Sequence, residues 1–338
     1  MELVLYCILF FVTILYALLQ RSKLYKHCGL ISLLSVAIIA YVISIRSYNM
    51  ADMIVYEETF ENLPLKDMIV SPYYLGCFAF WIPLKLLYLL FGSTQIVFIF
   101  VDILLVCLLE WILRKLDIPS YVLGLFLVSF IGVLGMQNIY RQYGAVILLL
   151  TSCTCAFEKR KWWAFLWFGI ACLYHNSIAL FAIIPFLLYY EGKPRVWITP
   201  TYLVAAALFS YSKGFYSRVA GTGLDLSVAY LLLVLFFGFV LAFLSKHTAS
   251  LKVEDSVRTV TKVLLALELI IFITSGTIAV ERFSMEILAI MLLFTAKVIS
   301  MGVKQKELVS LFLVFIYSLP TLFFDSTMLF LDNAESLR

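Results

Sequence analysis

The chain has 338 residues, of which 64% are apolar and 14% are charged, and its formal net charge is +4. Soluble globular domains are roughly 45–50% apolar and about 25% charged, so the composition excludes a soluble protein. Because one membrane crossing takes about 20 residues, the length accommodates about a dozen transmembrane helices and no large water-soluble domain. We therefore predict a single integral membrane domain over residues 1–338, and the small net charge gives no indication of nucleic-acid binding.

Apolar runs separated by charges and turn residues predict the transmembrane helices. The runs are continuously apolar, whereas barrel strands would alternate with a period of two, so helices are favoured. We expect an all-α polytopic membrane protein with about 12 transmembrane helices and one further re-entrant or interfacial helix at about 73–91. The predicted spans are 3–20, 28–45, 93–112, 119–137, 143–157, 162–174, 177–190, 196–212, 228–245, 261–280, 283–300 and 307–324.

Most of the 25 basic residues fall in loops that the positive-inside rule assigns to the cytoplasm, which places both termini outside. This topology requires an odd number of crossings between Arg46 and Arg114. The segment interrupted by Pro83 and Lys85 is therefore predicted not to cross the membrane. The basic residues left for the outside or the bilayer are Arg46, Lys66, Lys85, Arg141, Lys213, Arg218, Arg282 and Arg338.

The longest predicted outer loop spans about 46–72. Arg46 directly follows an apolar run, and Asp52 and Tyr56 stand four residues apart, so they share a face if this stretch is helical. A solvated loop with a snorkelling arginine would show the same pattern. The alternative is a loop over a cavity in which Arg46 binds an anion and Asp52 orients it or acts as a base.

A second polar cluster lies at the outer turn before the span 143–157. Asn138, Arg141 and Gln142 have i, i+3, i+4 spacing and so project from one helical face. The span that follows has only about 15 apolar residues. It is too short for a hydrocarbon core of about 30 Å unless Arg141 lies below the membrane surface.

His175 lies at the apex of the next predicted hairpin, within Tyr174-His175-Asn176-Ser177. A lone histidine there can be a hydrogen-bonded packing residue. However, two neighbouring hairpins with polar tips in one leaflet indicate a functional cavity, since an ionisable group inside the membrane costs about 2.5–3.5 kcal/mol.

The last cluster is Glu281-Arg282, expected at the outer turn between the spans 261–280 and 283–300, with Glu286 one helical turn further on. One interpretation is a local ion pair at a tight turn. In the other, Arg282 faces the same outward cavity and Glu281 or Glu286 holds its guanidinium.

Several arginines at the outer mouth of a membrane cavity indicate a phosphate ligand. The guanidinium presents a planar fork of donors that matches phosphate and stays charged in any surroundings. A lipid diphosphate fits best, with its phosphates at headgroup level and its chain leaving between helices.

The order of these clusters resembles the EpsG/Wzy family of integral membrane polymerases, which make bacterial surface polysaccharides and have a topology similar to GT-C glycosyltransferases. The resemblance is carried by Ser44-Ile45-Arg46, Asp52 and Tyr56, by Asn138-Ile139-Tyr140-Arg141-Gln142, by Leu173-Tyr174-His175-Asn176-Ser177 and by Glu281-Arg282-Phe283.

The resemblance implies transfer of a growing glycan from undecaprenyl diphosphate to an incoming lipid-linked repeat unit, at the periplasmic face of the bacterial inner membrane. It implies no metal or other cofactor; its partners would be membrane lipids, the lipid-linked oligosaccharides and, as an open point, a chain-length regulator. Arg46, Arg141 and Arg282 would bind the diphosphate, and His175 and Asp52 are alternative bases. Supporting residues would be Tyr56, Asn138, Gln142 and Glu281.

Two other classes of membrane protein are alternatives to the polymerase. A lipid-oligosaccharide flippase or other secondary transporter should show polar residues in both leaflets or an internal repeat. A membrane acyltransferase of surface glycans would need a histidine-centred site on the cytoplasmic side. The polar clusters crowd toward the outer side, which favours the polymerase.

Overall fold

The computed structural model describes residues 2–20, 38, 51–137, 139–190, 193–213, 226–246, 251–301 and 305–323. The chain divides into two compact units. The first comprises Met1–Thr151, Gly169–Asn176 and Gln305–Arg338, and the second comprises Ser152–Phe168 and Ser177–Lys304. The prediction of a single integral domain stays a prediction.

The described residues form helices without strands, which confirms the all-α prediction. In chain order they are α1 (Glu2–Leu19), α2 (Ala51–Asn62), α3 (Leu65–Val70), α4 (Pro72–Leu75), α5 (Phe78–Phe91), α6 (Thr94–Lys115), α7 (Tyr121–Val128), α8 (Phe130–Gln137), α9 (Tyr140–Phe157), α10 (Lys161–Tyr174), a 3₁₀ helix (Asn176–Phe181), α11 (Ile183–Tyr189), α12 (Lys193–Lys213), α13 (Ser227–Ser245), α14 (Leu251–Thr274), α15 (Thr277–Ser300) and α16 (Lys306–Phe323).

Among the described residues, three segments are long and apolar enough to cross a membrane: Thr94–Lys115, Ser227–Ser245 and Ala279–Ser300. Shorter apolar helices accompany them, among them Leu3–Leu19 and Phe78–Phe91. Large apolar side chains such as Phe11, Leu90 and Phe239 are exposed on these helices, as lipid-facing residues are in a membrane protein. The predicted span 28–45 lies outside the described residues.

The predicted span 119–137 is two half-helices rather than one helix. Ser129 has an extended conformation between α7 and α8, and its side-chain oxygen accepts a hydrogen bond from the Gly132 amide, 3.2 Å away. A serine in this position satisfies amides at the start of the second half-helix. Apolar composition alone could not reveal this break, because both halves are equally apolar.

The carbonyls that the break frees are bound by hydroxyl groups of other helices in the first unit. Val128 accepts from the Tyr6 hydroxyl at 3.0 Å and from the Thr321 hydroxyl at 3.3 Å, and Phe126 accepts from Tyr143 at 2.6 Å. Because these donors lie in α1, α16 and α9, the break ties three helices to α7. Around this point α1 packs on α7 and α16, and α16 also contacts α8.

The second unit is built around α14 and α15, which pack on α13 and on each other, while α11 and α12 pack against α14. The predicted span 177–190 begins as a 3₁₀ helix and becomes α-helical only at Ile183. Pro185 lies in the first turn of α11, where its missing amide hydrogen leaves no intrahelical hydrogen bond unmade.

The expected turn at Glu281-Arg282 is wrong. The turn lies at Ser275 and Gly276, between α14 and α15, and both charged residues are inside α15. The sequence interpretation took charges as the end of a span, but charged side chains do not end a helix, whereas a Ser-Gly pair favours a turn.

Gly132 is required where α8 turns past the end of α7. A Cβ atom on Gly132 would lie 2.1 Å from the Phe126 carbonyl oxygen and 2.9 Å from the Leu127 Cα, both backbone atoms. We expect Gly132→Ala to destabilise the fold by about 1–3 kcal/mol, measured as a lower thermal unfolding midpoint in detergent. Gly169→Ala is the matched control, since a Cβ there meets no atom within 4 Å and alanine favours a helix. Equal midpoints for the two variants would contradict the close approach.

Candidate functional site

Arg141 lies in the first turn of α9, half-buried, and four aromatic rings surround its guanidinium. The distances from Cζ to the ring centroids are 5.1 Å for Trp81, 5.7 Å for Phe80, 5.8 Å for Tyr56 and 5.9 Å for Tyr73. These four rings are called the aromatic cage below. Each lies within the range at which a ring attracts a cation, so together they hold this charge in a largely apolar setting.

The cage is assembled from three short helices of the first unit. Tyr56 comes from α2, Tyr73 from α4, and Phe80 and Trp81 from α5. Tyr56 packs on Phe80 and Trp81 with centroids 5.2 and 5.6 Å apart, and Tyr73 packs on Trp81 at 6.1 Å. The rings therefore support one another, and the segment 72–91 serves to enclose Arg141.

The cage leaves Arg141 able to bind an anion. Its Nη2 lies 3.5 Å from the Tyr73 hydroxyl. A guanidinium has five N–H donors in one plane, and the tyrosine hydroxyls can accept only part of them. Within the part of the chain that the structure describes, the arrangement thus holds a fixed positive charge with donors to spare, which suits a phosphate or carboxylate group.

The predicted loop 46–72 is helical from Ala51, which satisfies the condition for Asp52 and Tyr56 to share a face. Tyr56 is buried and reaches the ring cluster. The Asp52 side chain, Arg46 and Asn138 lie outside the described residues, so their predicted roles stay predictions.

Lys85 does not interrupt α5. The helix continues through Pro83, Lys85 is only 4% exposed, and its ammonium group donates to the Phe60 carbonyl in the last turn of α2. A cation at that position satisfies a carbonyl that the helix end leaves free. Lys85 therefore fixes α2 on α5 and, through it, the position of Tyr56.

The residues on either side of Arg141 are deeply buried. Tyr140 donates its hydroxyl to Asp102 Oδ1 at 2.9 Å, and Gln142 is 4% exposed. Asp102 has no partner that sequence spacing reveals, because Tyr140 lies 38 positions away. This bond joins α6 to the start of α9 and so fixes the turn that carries Arg141.

His175 follows α10 directly, with its amide bonded to the Ala171 carbonyl at 3.0 Å, and it is half-buried. The preceding residue, Tyr174, packs on Phe80 of the cage with centroids 5.2 Å apart. The structure thus brings the hairpin tip and the cage into the same unit through Tyr174.

Arg282 and Glu281 lie in the second unit, both half-buried. Glu281 Oε1 accepts from the Leu226 amide at 3.1 Å, at the start of α13, and Glu286 Oε1 accepts from the Ser177 hydroxyl at 2.5 Å. Glu281 thus stabilises a helix N-terminus as an anion does. Among the described residues, no three His, Cys, Asp or Glu side chains are placed to hold a metal ion.

Sequence analysis missed Tyr73, Phe80, Trp81 and Asp102. The three aromatic residues belong to a short segment that is dense in rings, Tyr73 to Trp81, and that density was the available signal. Membrane interfaces are rich in aromatic residues as well, so the density alone did not distinguish a cage from an interfacial belt.

A family model described as the EpsG family matches residues 29–334, which is most of the chain. No curated protein and no solved structure matches the chain at a significant level.

The hydrogen bond from Tyr140 to Asp102 should be measurable in stability. We expect Tyr140→Phe to lower the free energy of unfolding by about 1–3 kcal/mol, because it removes a donor from a buried carboxylate. Tyr74→Phe is the matched control, because it also removes one hydroxyl group while the ring contacts with Tyr73 and Trp81 remain. Thermal unfolding of both variants in one detergent tests this, and equal loss in the two would contradict the role of the Tyr140 hydroxyl.

Proposed function

The chain belongs to the EpsG family, and from this premise we propose that it is a Wzy-type polymerase of lipid-linked oligosaccharide repeat units. The family implies a polysaccharide polymerase with glycosyltransferase activity. The finer proposal concerns the donor: an undecaprenyl-diphosphate-linked growing glycan that is transferred to a hydroxyl group of an incoming lipid-linked repeat unit.

In this reaction the bond between the anomeric carbon of the growing chain and the diphosphate oxygen breaks. A new glycosidic bond forms to the acceptor oxygen, whose proton passes to a base, and undecaprenyl diphosphate leaves with the bonding electron pair. Negative charge therefore develops on the leaving oxygen. Fixed positive groups that are already in place stabilise this charge in the transition state.

The observation that carries the proposal is Arg141 in its aromatic cage. A guanidinium that four rings surround is held in place before substrate binds, which is what charge stabilisation in the transition state needs. Within the cage, the exposed ring of Tyr73 also offers an apolar face on which a sugar ring can stack. We propose that Arg141, together with Arg46 and Arg282, binds the diphosphate.

Two groups are proposed as alternative bases for the acceptor hydroxyl, His175 and Asp52. Each can accept a proton near neutral pH when held in a cavity. Tyr56 and Gln142 support Arg141, while Asn138 and Glu281 are proposed to line the same site.

The proposed topology has about 12 transmembrane helices, a GT-C-like arrangement and the site at the periplasmic face of the inner membrane, with the segment 46–72 over the cavity. The 14 residues of α5 extend about 21 Å at 1.5 Å per residue, less than the hydrocarbon thickness of about 30 Å. This supports the proposal that 73–91 is re-entrant or interfacial. Membrane lipids and the lipid-linked oligosaccharides are the proposed partners, and a chain-length regulator is a further one.

Removing a diphosphate ligand should stop chain growth. We expect Arg141→Ala and Arg282→Ala each to abolish long chains while single repeat units still reach the acceptor lipid, because transfer of one unit does not use this enzyme. Gel analysis of surface polysaccharide at matched protein levels measures this. Arg114→Ala is the control, since Arg114 is exposed and paired with Glu110 on the same helix. Full-length ladders from both variants would refute the diphosphate assignment.

The two candidate bases can be separated by conservative substitutions. Replacing the true base, by His175→Gln or by Asp52→Asn, should lower the transfer rate at least about 100-fold, because general-base catalysis contributes about 10²–10⁴-fold. The other variant should keep most of its activity. A transfer assay with purified enzyme and lipid-linked repeat units measures both, and near-normal rates in both variants would contradict the proposal that either residue is the base.

A further inference from the structure

A groove lies in the second unit, between the first half of α10 and α11. The groove has a volume of about 220 Å³. Its lining is almost entirely aromatic and aliphatic and includes Phe165, Phe168, Pro185, Phe186 and Tyr189. Lys161 also lines the groove. An apolar groove with one cationic side chain matches an amphiphile that has a hydrocarbon chain and an anionic head.

The loop before α10 is built to hold the two helices together. Lys159 has a left-handed conformation, φ 64°, at the end of α9. The Lys159 amide bonds to Ala156 and the Arg160 amide to Cys155, which is the hydrogen-bond pattern of a Schellman motif. In this position the Lys159 ammonium group donates to the carbonyls of Leu188, 3.1 Å away, and Tyr189, 2.6 Å away, at the end of α11.

The three consecutive basic residues, Lys159, Arg160 and Lys161, therefore have different binding partners. Lys159 binds carbonyls, and Arg160 forms an ion pair with Glu158, 3.3 Å apart. Lys161 lies over the Trp162 and Phe165 rings at 5.7 and 6.0 Å, and among the described residues it makes neither a hydrogen bond nor an ion pair. Its ammonium group is thus left for a ligand at the groove.

The surroundings place this groove at a membrane surface. Trp162 is 80% exposed and Trp163 is 55% exposed, as expected for tryptophans that lie at headgroup level. The positive-inside rule assigns the basic loop 159–161 to the cytoplasmic side. Anionic phospholipids are abundant in that leaflet, and basic pockets between helices there bind their headgroups.

We propose that this groove binds one anionic glycerophospholipid of the cytoplasmic leaflet, with an acyl chain along the aromatic lining and the phosphate at Lys161. The site is distinct from the aromatic cage, since it is built from other helices and uses neither Arg141 nor Arg282. A glycan would leave its hydroxyl groups without partners on such a lining, so a hydrocarbon chain is the fitting occupant.

Native mass spectrometry of the full chain tests this after the protein has been delipidated in detergent. Dioleoylphosphatidylglycerol and dioleoylphosphatidylcholine carry the same acyl chains and differ in headgroup charge, so they separate the two parts of the site. We expect one saturable site that prefers phosphatidylglycerol by about fivefold, the effect of one basic side chain near an anionic lipid. Lys161→Gln should bring the ratio of the two dissociation constants close to one.

Ala182→Phe tests the apolar part, because Ala182 lines the groove and a larger ring would fill it. This variant should lose the saturable site for both lipids. The matched controls are Lys262→Gln, an exposed lysine of α14, and Ala242→Phe, on α13, neither of which lines the groove. Both should bind as the unchanged protein does, and size-exclusion chromatography verifies that each variant is folded.

Three results would overturn the proposal: equal affinity for the two lipids in the unchanged protein, an undiminished preference in Lys161→Gln, or tighter binding of undecaprenyl phosphate than of phosphatidylglycerol, which would make the carrier lipid the occupant. Because the measurement involves no glycan transfer, it is independent of the proposed polymerase activity.

Discussion

The first unit depends on one constraint, the need to bind every backbone polar group inside the protein when no water is available in the membrane. The break at Ser129 frees carbonyl groups that an unbroken helix would have used. Hydroxyl groups of Tyr6, Thr321 and Tyr143 bind them. Because these donors come from distant parts of the chain, the break determines which helices must meet, and it holds α9 at the end that carries Arg141.

The same need for partners inside the protein explains the surroundings of Arg141. A guanidinium away from bulk water is costly unless something compensates its charge. Here aromatic faces provide part of that compensation, and the Tyr140–Asp102 bond fixes the adjoining turn. Among the residues that the structure describes, the cage stabilises this cation with ring faces rather than with a carboxylate, which would neutralise it and compete with an anionic substrate. This is why we propose Arg141 as a ligand of the diphosphate.

The sequence could predict the helical class and most helix positions, because continuous apolar runs are a local signal. It could not predict the break at Ser129, since both half-helices are apolar and the stabilising donors are far away in the chain. It misplaced the turn before α15 because charges at 281 and 282 were given more weight than Ser275 and Gly276. The cage was missed for a related reason: Tyr56, Tyr73 and Trp81 meet Arg141 only through tertiary packing.

Lysine and arginine are used differently in this chain, and the difference follows from their chemistry. Lys85 and Lys159 each direct a compact ammonium group at carbonyls near a helix end, Phe60 in one case and Leu188 and Tyr189 in the other. A point charge with three rotatable donors fits such carbonyls, whereas the planar fork of arginine fits phosphate oxygens. The ammonium groups of these lysines are therefore bound to backbone carbonyls of the protein, and Lys159 holds α11 against the loop that precedes α10. Arg141 presents its fork within rings that accept few of its donors. A count of basic residues on one side of the membrane thus overstates the number that is available to a substrate. Whether a charged side chain can bind a ligand depends on the residue type and on the carbonyl groups nearest to it.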